Sequence, residues 1–321
     1  MQLQAIATQN AESNQKRRRH VFDLDEFSRA EIEEVLDTTE SMKEILSREI
    51  KQVPTLRGKT IVNMFFEEST RTRISFELAA RSLSAGVINF SGRGTSVEKG
   101  ESLVDTVRTL QSLGADVLVI RHSQPGTPYL VAQHFHGSVI NAGDGCHAHP
   151  TQALLDLFTI REKLGHIDQL KVVIIGDILH SRVARSNLWG LTKMGARVTL
   201  CAPPTLFGVA RFWQAAWPTI NISYNLDEAL DGADVIMALR LQKERQQAGL
   251  LPSLREYSRF FALTDERLNY ARGHALVMHP GPMNEGVEIM PEVVLSSQSV
   301  ISDQVTNGVA VRMALLYLFT T

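Results

Sequence analysis

TIVNMFFEESTRTRISFE, residues 60–77, carries the transition on which the fold depends. An apolar, β-branched run, Thr60–Phe66, reads as a strand. Two glutamates follow, and then Ser69, Thr70, Arg71, Thr72 and Arg73 arrive together. A helical pattern over Arg71–Ala85 stops at Gly86, a residue type that commonly ends helices. Ser69–Thr72 therefore falls at a helix's amino end, where several backbone N–H groups lack intrahelical partners and the macrodipole is positive. Hydroxyls add donors, and Arg71 adds a planar fork that fits phosphate oxygens. Such a constellation suits a phosphate without a glycine-rich loop. Taken alone, it is equally compatible with Ser69 as a plain N-cap and with Arg71 and Arg73 as surface charges.

Working outward, the same strand-to-helix alternation continues. Further strands are expected at Val87–Phe90, Ala115–Arg121 and Ser138–Asn141, with a helix over Glu101–Leu113 closed by Gly114. The second half repeats the plan with Lys171–Gly176, Ala196–Cys201, Ala233–Leu239 and Ala275–His279, and with a helix over Arg182–Met194. Runs such as VLVI and VVII are continuous rather than alternating, as expected of parallel strands covered on both faces. A long helical pattern, Pro150–Leu164, lies between the halves, and an apolar helix, Gln304–Phe319, closes the chain. The reading is α/β: two open parallel-sheet domains joined by a central helix, with the C-terminal helix packing back on the N-terminal domain. Ligands are expected at the carboxyl ends of the strands.

Composition narrows the function classes. The 321 residues are 44% hydrophobic and 21% charged, which suits a globular protein with real cores. A formal net charge of −2 supplies no global field toward nucleic acid or an anionic membrane, so any anion site is local. Cys146 and Cys201 are too few for a disulfide framework, which suits a reducing, cytoplasmic compartment. No apolar run approaches the ~20 residues that span a bilayer. Residues 1–20 form a polar tail ending in the basic cluster Lys16–His20, without the apolar core of a signal peptide; disorder is expected there.

More anion donors follow the first cluster. Arg121 and His122 end one strand, His149 and Gln152 open the central helix beside Pro150, and Ser96 and Lys99 fall in the glycine-bearing loop GRGTSVEKGES. Such a set can hold a phosphate and polarise a carbonyl beside it. Cys146, His147 and His149 invite a metal reading, but their spacing matches no standard zinc pattern. No metal and no cofactor are expected.

STRTRISFE, SVEKGES, VIRH, HPTQALLDLFTI, GDILHSRVARSN, RLQKER and MHPGP occur in the order found in aspartate transcarbamoylase catalytic chains, which the sequence resembles from about Val21 to its end. STRTR and HPTQ are shared by transcarbamoylases generally, whereas Lys99 in its loop, SRVARSN and RLQKER point to the aspartate enzyme. An ornithine enzyme is expected to carry HCLP where this chain has His279-Pro280-Gly281-Pro282.

The resemblance implies carbamoyl transfer from carbamoyl phosphate to L-aspartate, the first committed step of pyrimidine synthesis. It implies that Ser69, Thr70, Arg71 and Thr72 hold the phosphate, that Thr72, Arg121 and His149 face the carbonyl oxygen, and that Gln152 meets the carbamoyl amino group. Ser96 and Lys99 are implied to reach a neighbouring subunit's site in a homotrimer. Arg182 and Arg240, with Gln242, are implied to clamp aspartate's carboxylates. Gly281 and Pro282, joined by a cis bond, are implied to offer backbone carbonyls. On this basis 21–150, with helix 304–321, is the carbamoyl phosphate domain and 151–303 the aspartate domain. Some family members assemble further with zinc-bearing regulatory chains or dihydroorotase-like partners, and the sequence leaves that open. Glu285 departs from the family pattern, standing where relatives place a basic residue.

Three alternatives stay open at this level. A nicotinamide-dependent dehydrogenase would use the same kind of sheet, but the turn after Lys171–Gly176 reads GDILHSR rather than G-x-G-x-x-G. A non-catalytic scaffold relative would have lost site residues, yet Arg71, Lys99, Arg121, His149, Arg182 and Arg240 are all present. A transcarbamoylase for another acceptor, such as ornithine, turns on Arg240 and Gln242.

Overall fold

The computed structural model describes residues 18–91, 101–242, 250 and 253–320. After helix α1 (Arg29–Ser47), the first half runs β1 (Thr60–Phe65), α2 (Thr70–Ser82), β2 (Gly86–Ser91), α3 (Leu103–Ser112), β3 (Val117–His122), α4 (Thr127–Ala132) and β4 (Ser138–Asp144). Helix α5 (Pro150–Leu164) leads to β5 (Lys171–Ile175), α6 (Arg182–Lys193), β6 (Arg197–Cys201), α7 (Ala210–Ala216), β7 (Asn221–Ser223), α8 (Leu226–Leu230) and β8 (Val235–Ala238). Then come α9 (Leu254–Phe261), α10 (Asp265–Leu268), β9 (Leu276–Met278), α11 (Pro291–Val294) and α12 (Ile301–Thr320).

Two parallel sheets result, ordered β2-β1-β3-β4 and β7-β6-β5-β8-β9. In the first, the chain steps outward from β1 to β2 and returns to the other side of β1 for β3. The second does the same around β5, with β6 and β8 on opposite sides. Each sheet therefore has a switch point, between β1 and β3 and between β5 and β8, where flanking connections diverge and leave a crevice at the carboxyl ends. Phe65 pairs with Arg121 at one, and Ile175 with Ala238 at the other.

The continuous apolar runs VLVI in β3 and VVII in β5 are buried on both faces. Helix α5 is buried from Pro150 to Ile160 and packs on α6, α1 and β4. Helix α12 packs against α1, α2 and α5, so the chain's last element closes over its first domain.

Several boundaries shift. Helix α2 ends at Ser82 rather than Ala85, because Ser84 takes a left-handed conformation with φ of 62°. Strand β4 runs on to Asp144, with the Asn141 side chain accepting from the Gly143 N–H at 2.8 Å. Residues 18–20, assigned to a disordered tail, are packed instead. Arg18 pairs with Glu26 at 2.9 Å and Glu31 at 3.0 Å and lies over the Phe27 ring, while His20 Nδ1 accepts from the Val139 N–H. Capturing Arg18 this way anchors the chain just before Val21 joins Ile140 in a parallel bridge.

Candidate active site

The two switch points open into one cavity of about 740 Å³, a size suited to small molecules. From the first sheet come Ser69–Thr72 at the start of α2, Arg121 at the end of β3, and His149 and Gln152 at the start of α5. From the second come Arg182 at the start of α6, Arg240 and Gln242 after β8, and Gly281 and Pro282 after β9. The cavity thus gathers the described members of both expected residue sets. Ser96 and Lys99 lie outside the described residues.

Local backbone chemistry aims these groups. Ser69 is the N-cap of α2 but makes no side-chain cap bond, so its hydroxyl is not spent on the helix. His149 caps α5 in the same way, ahead of Pro150, and its backbone N–H donates to Ser186 Oγ at 2.9 Å. Ser181 does make a cap bond, to Ala184 N at 3.1 Å, which holds the turn that presents Arg182. Period-2 alternation separates the two donors at the end of β3. Arg121 enters the cavity, whereas His122 packs on Phe66 and accepts from the Gln124 N–H at 3.0 Å. The proposed donor pair is therefore one donor, Arg121.

The cavity is electropositive. Arg121 and Arg182 are both buried, at 9% and 5% exposure, and Arg312 joins them from α12. Burial, and after it the Arg240 guanidinium, holds Arg71 below the ordinary arginine range. Burial lowers His279 as well; Glu288 works in the opposite sense, and Arg71 and Arg240 push the same way as burial. These paired influences place Arg71, Arg240 and His279 on one another's doorstep, a concentration of positive charge suited to two anionic ligands.

Glu67 answers part of that charge. Its carboxylate accepts from Arg121 Nη2 at 2.6 Å and from Arg182 Nη1 at 3.1 Å, and Arg182 Nη2 also reaches it. Arg121 Nη1 continues to Ala142 O at 3.1 Å, and Arg182 Nη1 to Gly145 O at 2.9 Å. The close approach needs Gly143, whose φ is +119°. A Cβ there would lie 3.0 Å from Arg121 Nη1 and 3.1 Å from Arg182 Nε. Gly281 plays a similar part beside Arg71, with φ of +61° and the guanidinium lying where a side chain would stand. The Gly281–Pro282 bond is cis, as the resemblance implies.

Glu67 was missed at the sequence level, along with Gln304, Ser75 and Arg312, which also line the cavity. A carboxylate directly before an anion-binding turn was the available signal for Glu67. Glu285 is exposed and does not line the cavity. His147 pairs with Asp144 at 3.1 Å, and among the described residues no group of three or more His, Cys, Asp or Glu is arranged to hold a metal. Nor is any described helix long and apolar enough to cross a membrane.

Comparison with known proteins gives the same picture. Residues 19–162 match the family described as "Aspartate/ornithine carbamoyltransferase, carbamoyl-P binding domain", and residues 168–319 match "Aspartate/ornithine carbamoyltransferase, Asp/Orn binding domain". The chain is 76% identical to the aspartate carbamoyltransferase catalytic subunit of Roseiflexus sp. (strain RS-1), over 94% of this chain and 95% of that one. It is 73% identical to the corresponding subunit of Chloroflexus aurantiacus (strain ATCC 29366 / DSM 635 / J-10-fl), over 94% and 97%. A crystal structure of Trypanosoma cruzi aspartate transcarbamoylase with carbamoyl aspartate and phosphate superposes with a TM-score of 0.84 at 31% identity, covering 94% of this chain and 96% of that one. Ornithine carbamoyltransferase from Pyrococcus furiosus superposes at 0.81 with 29% identity, over 94% and 96%. With both family domains matched in sequence order and a shared fold around this cavity, the chain belongs to the aspartate/ornithine carbamoyltransferase family.

Proposed function

We infer that the chain is an aspartate carbamoyltransferase, converting carbamoyl phosphate and L-aspartate to N-carbamoyl-L-aspartate and phosphate in pyrimidine synthesis. One observation carries the reading: a phosphate-type helix start and a pair of arginine-bearing turns, from two sheets, line the same cavity. Ser69, Thr70, Arg71 and Thr72 hold the phosphate. Thr72, Arg121 and His149 face the carbonyl oxygen, and Gln152 faces the carbamoyl amino group. Arg182 and Arg240, with Gln242, take the two carboxylates of aspartate, and Gly281 and Pro282 offer carbonyls to ligand amines.

The aspartate amine attacks the carbonyl carbon, forming a C–N bond and an oxyanion that preorganised donors stabilise without later reorganisation. The C–O bond to phosphate then breaks with its electron pair leaving on phosphate. The attacking nitrogen's proton passes to that phosphate, which is basic enough to take it, so no side-chain base is demanded. Holding both substrates in register can contribute up to ~7–11 kcal/mol to lowering the barrier.

The working unit in this reading is a homotrimer in which Ser96 and Lys99 serve a neighbour's cavity. An assay offering aspartate, ornithine or no acceptor tests the function, with carbamoyl aspartate forming only in the first. Arg240→Ala is expected to weaken aspartate use far more than carbamoyl phosphate binding; equal loss for both overturns that assignment.

A further inference from the structure

Behind the cavity wall, Asp156 of α5 is fully buried and touches no ligand position itself. Three carboxamides converge on it. Gln152 Nε2 donates to its Oδ1 at 3.0 Å, Gln304 Nε2 to the same oxygen at 2.8 Å, and Asn187 Nδ2 to its Oδ2 at 2.8 Å. The donors come from three helices: Gln152 from α5, Asn187 from α6 and Gln304 from α12. Gln304 is held at its other end, since its Oε1 accepts from the His279 N–H at 2.9 Å.

An ionised carboxylate only accepts hydrogen bonds, whereas a carboxamide has one end that donates and one that accepts. Each amide that points at Asp156 must therefore present its NH₂ group to it. For Gln152, which lines the cavity, this leaves the carbonyl oxygen as the end available to a ligand. Burial pushes the Asp156 carboxyl up to about 6, while the three amide donors and the Arg312 charge pull it down. The three NH₂ groups that converge on it match the ionised, acceptor-only form.

We propose that Asp156 is a positioning residue that locks the Gln152 carboxamide with its carbonyl oxygen toward the cavity, so that the site selects a carbamoyl NH₂ group over an isosteric methyl. The proposal rests on the carbamoyl phosphate reading above. A site built to hydrogen-bond one group rejects an analogue lacking it, because its own polar atom is left unpaired. Acetyl phosphate is that analogue, with a methyl in place of NH₂.

Asp156→Leu removes every acceptor at this position while nearly keeping the shape. Asn187 keeps its bond to Val183 O and Gln304 its bond from the His279 N–H. Gln152, with no oxygen left to take its NH₂ group, is free to turn either end toward the cavity.

The test measures dissociation constants of carbamoyl phosphate, acetyl phosphate and inorganic phosphate for the full-length wild type and for Asp156→Leu. The wild type is expected to prefer carbamoyl over acetyl phosphate, and the variant to lose at least fivefold of that preference with phosphate affinity held within twofold. In a Gln152→Ala background, Asp156→Leu is expected to change the preference no further. Should Asp156→Leu not fold, Asp156→Ser, whose hydroxyl both donates and accepts, carries the same comparison. A preference unchanged within twofold, a uniform loss for all three ligands, or a wild type that binds the two acyl phosphates equally overturns the proposal. If the wild type forms no carbamoyl aspartate in the acceptor assay, it is the underlying reading that fails instead.

Discussion

Glu67 Oε1 stands 2.6 Å from Arg121 Nη2, and the same carboxylate also engages Arg182. Arg121 ends a strand of the first sheet and Arg182 begins a helix after the second, so one carboxylate fixes two forks that serve different substrates in the proposed reaction. Glu67→Gln keeps the shape and removes the charge, leaving two buried guanidinium groups to repel each other. The expected result is about a 30-fold fall in kcat/KM for aspartate, the low end of the ~2–5 kcal/mol range for losing one partner of a buried, hydrogen-bonded charge pair. Steady-state kinetics at varied aspartate checks this; unchanged constants would show that the pair serves packing alone.

Gly143 permits that arrangement. Gly143→Ala would place a Cβ against both arginines and force a non-glycine residue to φ of +119°. The backbone strain is about 1–3 kcal/mol. Displacing both forks is expected to cost on the order of 100-fold in kcat/KM. A variant that folds, judged by its urea midpoint, and keeps full activity would contradict this account.

Asp23 offers a pH prediction. Its buried carboxyl accepts from Ser186 Oγ at 2.5 Å, and burial raises it from 3.8 to about 7. The Ser186 hydroxyl, the Leu24 N–H and His147 oppose the rise, and Asp25 adds to it. Between pH 4 and 7 the unfolded chain releases this proton while the native state keeps it. The native state then binds more protons, so this group's contribution lowers stability as pH rises and is fully unfavourable above pH 7. Asp23→Asn is expected to be about 1–3 kcal/mol more stable than the wild type at pH 8 and to converge with it below pH 4. Urea unfolding across that range decides; a variant less stable at every pH would reverse the sign.

Shared sites give a complementation test. Lys99→Ala and His149→Ala proteins, each inactive alone, are expected to regain part of their activity when mixed and allowed to exchange subunits. Each hybrid trimer would contain at least one cavity with both native residues. No recovery, once native mass spectrometry has confirmed exchange, would mean that each site lies within one chain.

Much of the fold was legible because its strands are continuous apolar runs and its helix ends carry glycine or proline. Arg71, Arg121, His149, Arg182 and Arg240 were legible for a related reason: each follows or ends such a run, where an open α/β sheet exposes its ligand positions. The residues that were not legible share a different property. Asp156 and Gln304 are polar side chains in helical sequence that nothing local distinguishes from solvated positions, and Glu67 has only its place before the anion-binding turn to mark it. Their burial is decided by which helices meet, α5 with α6 and α12, and by which arginines approach. Ser84 is similar on a smaller scale, since no pattern announced its left-handed backbone and the early end of α2.

Gln304 and Arg312 reach the cavity from α12, which spans Ile301–Thr320. This ties the order of synthesis to the onset of activity. Before α12 is made, both sheets can form, but the cavity lacks one wall and Asp156 lacks the Gln304 amide. A chain halted before α12 carries Arg71, Arg121, Arg182 and Arg240 and still has no finished pocket. Competence to react therefore waits for α12, after both sheets have been made.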